Sequence, residues 1–127
     1  MIFPLPPEEE EVGLIEGIMP DSKEEYWLAQ FLWANDIIFR YQWEIFGGTS
    51  RRGGLIVDFV AWLPMMTPIP VNGEYWHSEE MDSDLRQNLV AIADYFNIAV
   101  ENIPILWGKD AQTKEDVFAW GRANVLR

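Results

Sequence analysis

Leu55-Ile56-Val57-Asp58-Phe59-Val60-Ala61-Trp62 is an apolar run broken by a single aspartate, and twelve residues past that aspartate begins Pro70-Val71-Asn72-Gly73-Glu74-Tyr75-Trp76-His77. The first stretch has the length and the β-branched and aromatic content of a buried strand. An ionised carboxylate inside it is costly unless a metal ion or a cation compensates it. The second stretch is a strand that ends at Gly73 and leads into an aromatic pair and the one histidine of the chain. A hard oxygen ligand on one strand with an imidazole just past the next suits metal-assisted chemistry.

Around this pair the sequence predicts alternating helices and strands. Ser22 and Glu25 form a capping box, and Tyr26, Leu28, Ala29, Phe31, Leu32 and Trp33 give the following helix a broad apolar, core-facing side. Ile37 to Trp43 is rich in aromatic and β-branched residues and reads as a strand. Gly47 to Gly54 is a glycine turn carrying Arg51 and Arg52. Strands at about 55–62 and 67–73 form a hairpin, with Pro64, Pro68 and Pro70 calling for an edge position or irregular pairing. A helix over 83–96 buries Leu85, Leu89, Ile92, Ala93 and Phe96. A short strand follows at Pro104 to Trp107, and Thr113 with Asp116 caps a terminal helix to about Val125. The order α-β-β-β-α-β-α predicts an α/β fold, a mixed sheet flanked by helices.

The bulk numbers narrow the function classes. One domain of 127 residues, 49% hydrophobic and with seven tryptophans, packs a real core. The absence of cysteine excludes a disulfide scaffold and a thiolate zinc site. No apolar run reaches the length of a membrane span, and no basic leader precedes one, so the expectation is a cytoplasmic or virion protein, neither secreted nor membrane-bound. The net charge is −12, where nucleic-acid binders carry a basic face. Residues 1–30 hold eight acids against Lys23, net −7, so more than half of the imbalance lies in the front quarter. Residues 1–19, with Pro4, Pro6, Pro7 and the run Glu8 to Glu11, read as an extended acidic arm before a domain over 20–127. Its apolar anchors are Ile2, Phe3 and Leu5.

The pattern resembles the very-short-patch repair endonucleases and their phage and homing-endonuclease relatives, a branch of the PD-(D/E)XK restriction-endonuclease-like fold. The resemblance covers residues 22–110. It is carried by Glu25 on the first helix, Asp58-Phe59, the Gly73-Glu74-Tyr75-Trp76-His77 strand end, Asp84-Leu85-Arg86, and Ile105-Leu106-Trp107. Phe39-Arg40-Tyr41-Gln42 is similar to the family's Phe-Arg-x-Gln strand. What the resemblance implies is an Mg²⁺-dependent DNA endonuclease. Asp58 and the Val71 carbonyl would hold the metal, His77 would activate water, Asp84 would orient His77, and Glu25 would complete the catalytic set. Tyr75 and Trp76 would wedge between base pairs, with Asn72, Arg51 and Arg52 contacting the nucleic acid.

The chain departs from the family in three places. Asn72 stands where the repair enzymes have histidine before the glycine, the strand acids of the broader pattern are lost at Pro70-Val71-Asn72-Gly73, and the cysteine-rich zinc site is absent. Asp82 competes with Asp84 for the helix-acid position. Each residue also has an ordinary structural account: Glu25 as a cap, Asp84 as a first-turn acid, Asp58 as a strand-end acid paired with Arg51 or Arg52. The competing expectation is therefore a catalytically degenerate nuclease fold. It would serve as a structural or adaptor protein, in a phage particle or a homo-oligomer, and assemble through the arm.

Overall fold

The computed structural model describes residues 12–48 and 53–126. Arg51, Arg52 and the arm's residues up to Glu11 lie outside that set. Three helices and two small sheets make a mixed α/β structure: α1 Lys23–Ala34, β1 Phe39–Ile45, β2 Leu55–Trp62, β3 Met66–Ile69, β4 Val71–Asn72, α2 Ser83–Phe96, β5 Leu106–Trp107 and α3 Lys114–Asn124. Each helix starts where the local chemistry dictates. The Ser22, Asp82 and Thr113 side chains accept from the backbone N–H three residues on, which satisfies one orphan donor per helix.

β1, β2 and β3 form an antiparallel sheet in that order, with β2 central. The prolines act as the sequence requires. Pro68 sits on the edge strand β3, opposite Val60, and the β2–β3 ladder stops at Phe59↔Ile69, just before Pro70. The chain then changes partner: β4 pairs in parallel with β5, and the Leu106 N–H donates to the Pro70 carbonyl at 3.1 Å. Around β1–β2 the pairs Tyr41↔Phe59 and Trp43↔Val57 bracket Gln42, which has a left-handed φ of 57°.

β2 supplies two apolar clusters. Phe59 and Ala61 join α1 and α3 through Leu28, Phe31, Leu32, Val117 and Trp120. Val57 and Val60 join α2 through Leu89, Ile92 and Ala93. Fully buried side chains such as Phe31 and Phe59 each contribute about 2–3 kcal/mol of transfer free energy. Gly121 lets α3 approach α1, since a Cβ there would meet the Phe31 ring at 2.5 Å.

Ile15, inside the stretch read as an arm, is completely buried in the first cluster. Ile15 and Ile18 exchange two backbone hydrogen bonds across a tight turn with positive φ at Glu16 and Gly17, the geometry of a two-residue hairpin loop. Trp33 is 45% exposed at the end of α1, so the helix's aromatic side is not all core.

Candidate acidic cleft

The site begins at the point where β2 and β3 part. Pro70 has no N–H to donate, and the next donor, Val71 N–H, is taken by the Asp58 side chain, Oδ2 accepting at 2.8 Å. Asp58 thus replaces a strand acceptor with a carboxylate. Burial pushes its carboxyl up to about 6; the Val71 N–H opposes that shift, and the charge of Asp21 adds to it.

Glu25 lies in the first turn of α1 and is 6% exposed. The Tyr41 hydroxyl donates to its Oε1 at 2.7 Å and the Ser22 hydroxyl to its Oε2 at 3.1 Å. Only half of the expected capping box is therefore seen: Ser22 accepts from Glu25 N–H at 3.2 Å, while the Glu25 carboxylate is held between two hydroxyls. Burial raises Glu25 to about 7 against the pull of the Tyr41 bond, and the charges of Asp58 and Asp21 push the same way as burial. Neither Glu25 nor Asp58 forms an ion pair with Lys or Arg among the described residues.

A cleft of 650 Å³ opens beside these groups. Its walls include Val71, Asn72 and Tyr75 and six acids (Asp21, Glu24, Glu25, Glu74, Asp82 and Asp84), with no lysine or arginine among the described residues. The Asn72 Nδ2 is buried without a hydrogen-bond partner. A larger groove, 1030 Å³ beside Trp107 and Trp120, includes none of these site residues.

The structure thus brings Glu25, Val71, Asn72, Tyr75 and Asp84 to one cleft, with Asp58 bonded directly behind Val71. His77 is not on its walls; the imidazole is exposed, and its Nε2 lies 3.6 Å from the Glu80 carboxylate. Asp84, on the cleft wall, has no hydrogen bond to His77, and Trp76 is 50% exposed with its N–H on Glu80. Asp82 and Asp84 separate by role. Asp82 caps α2 through Leu85 N–H and accepts from the Tyr75 hydroxyl, whereas Asp84 is the first-turn acid.

Sequence reasoning gave Asp21 no role and took Tyr41 and Gln42 only as part of the Phe39-Arg40-Tyr41-Gln42 strand. Gln42 Nε2 donates to Asp21 Oδ2 at 3.3 Å, and Asp21 N–H donates to the Tyr41 hydroxyl at 3.2 Å. The available signal was the polar side chain on each side of Tyr41 in Arg40-Tyr41-Gln42, within an otherwise aromatic strand.

The donor set is of the kind an Mg²⁺ ion takes. The ion prefers oxygen, keeps several waters, and is held by one or two carboxylates plus substrate rather than by a full protein cage. Two carboxylates without a lysine or arginine partner among the described residues, next to the Val71 peptide, match that requirement. A ready-made group of three or more His, Cys, Asp or Glu ligands is not present among the described residues. No helix among the described residues is long and apolar enough to cross a membrane. Comparison with protein-family models, with curated proteins and with solved structures gave no match to this chain.

Proposed function

We propose that this chain is a small Mg²⁺-dependent DNA endonuclease with a restriction-endonuclease-type core, in which Glu25, Asp58 and the Val71 carbonyl hold the metal. One observation carries the reading: the buried Glu25 carboxylate on the cleft wall and the half-buried Asp58 carboxylate behind Val71 come from different elements and are each pushed above their ordinary range, and neither pairs with a lysine or arginine among the described residues. The antiparallel β1–β2–β3 sheet, the parallel β4–β5 pair and the helices packed around them support the fold. The bound ion would polarise a phosphodiester and lower the pKa of its attacking water. Asp58 and Glu25 supply the charge that draws the cation in. Asn72 offers its unpartnered Nδ2 to a phosphate oxygen. Tyr75 and Trp76 form an aromatic edge for the bases, and Arg51 and Arg52 supply phosphate contacts. His77 is the proton acceptor; to act it must leave Glu80 for the cleft, where Asp84 waits to orient it.

The second reading, a degenerate fold used as a structural or adaptor protein, draws on the lack of lysine or arginine on the cleft walls among the described residues and on the approach of His77 to Glu80. Supercoiled plasmid incubated with Mg²⁺ or Mn²⁺ separates the two. The endonuclease nicks it, and Asp58→Ala abolishes nicking. A wild type that leaves the plasmid intact, but loses oligomeric mass in light scattering when residues 2–11 are deleted, supports the adaptor instead.

A further inference from the structure

Tyr41 is 3% exposed, and its ring is fixed against Phe59, with centroids 5.0 Å apart. Its backbone N–H donates to Glu16 Oε2 at 3.3 Å, which ties β1 to the 15–18 turn. A phenol has one proton to give. Because the hydroxyl accepts from Asp21 N–H at 3.2 Å, that proton is directed to Glu25 Oε1 at 2.7 Å. The Ser22 hydroxyl occupies the other Glu25 oxygen. Each carboxylate oxygen then has one hydroxyl donor and lone-pair capacity left for a cation.

We propose that Tyr41 is a positioning residue: with Asp21 N–H behind it, its hydroxyl holds the Glu25 carboxylate in the orientation from which that carboxylate takes a divalent cation. The inference rests on the reading of Glu25 and Asp58 as cation ligands and adds the group that orients one of them. Groups that orient a ligand from outside the coordination sphere typically change metal affinity by about 10–100-fold when removed.

Tyr41→Phe keeps the ring and deletes only the hydroxyl, so Mn²⁺ affinity measured calorimetrically on folded protein, well below the melting temperature, isolates its role. The expected result is Mn²⁺ binding weaker by roughly tenfold or more, and no further weakening when Tyr41→Phe is added to Glu25→Gln, because the two share one interaction. A purely structural hydroxyl would lower the melting temperature and leave the Mn²⁺ constant unchanged. That outcome overturns the positioning role while the cation site stands, as does an additive double mutant. A wild type that binds no Mn²⁺ removes the cation site itself, and this inference with it. Should Tyr41→Phe not fold, fluorotyrosine at position 41 of the otherwise unaltered chain decides by fluorine NMR. Its resonance should move on Mg²⁺ addition in the wild type and not in Glu25→Gln; a resonance indifferent to Mg²⁺ overturns the proposal.

Discussion

At the residue scale the central fact is that Glu25 and Asp58 are harder to ionise in the folded chain than in the unfolded one. Glu25 rises from 4.5 to about 7 and Asp58 from 3.8 to about 6, burial being the largest cause for both. The folded state therefore binds more protons than the unfolded state across this window. The stability this confers is fully present below the unfolded values and is lost as pH rises through about 6 and about 7. For Glu25 alone the loss is on the order of 3 kcal/mol. Chemical denaturation of the metal-free protein at pH 5 and pH 8 should show the alkaline side less stable. Glu25→Gln should remove much of the difference, and saturating Mg²⁺ should raise stability most at pH 8, where both carboxylates are charged. A wild-type profile that is flat, or that rises from pH 5 to 8, would contradict the burial of these two groups.

At the element scale the cleft depends on two backbone segments lying against each other. Gly108 follows β5, its N–H donates to the Tyr75 carbonyl at 2.7 Å, and a Cβ there would stand 2.5 Å from the Gly73 carbonyl. Neither partner is a flexible side chain, so Gly108→Ala must push the Gly73–Tyr75 wall away from β5. The expected cost is about 1–3 kcal/mol, read as a lower melting temperature together with slower nicking; unchanged values of both would show that the wall is not held there. What the sequence made legible follows the same division between local and distant contacts. Caps and hairpins are local chemistry, so Ser22, Thr113 and the 83–96 helix were readable, and the prolines announced an edge strand with irregular pairing. Asp58 stood out because a carboxylate in an apolar strand contradicts its surroundings. The grip of Tyr41 on Glu25 spans 16 residues, and the burial of Ile15 depends on packing with residues of α1, β2 and α3 far along the chain; no short-range pattern encodes either. The place of His77 was equally hidden, because a histidine after a strand end can turn toward the cleft or, as here, toward an acid three residues on.

At the scale of the whole molecule, charge sets the terms of any encounter with DNA. The chain carries −12, and the cleft walls hold six acids and no base among the described residues, so under the proposed function a divalent cation would have to precede the phosphate. Few phosphate contacts are available, and log Kd should rise only shallowly with log salt. Arg51→Ala with Arg52→Ala should weaken DNA binding and flatten that slope further; an unchanged Kd in the double mutant would remove the glycine turn from the interface. The most direct test of the account lies in the cation itself. An anomalous-difference map from a crystal of the protein soaked in Mn²⁺ should show a peak in direct coordination with the carboxylates of Glu25 and Asp58 and the carbonyl of Val71. A map with strong Mn²⁺ peaks elsewhere on this acidic surface, and none between those three oxygens, would contradict it.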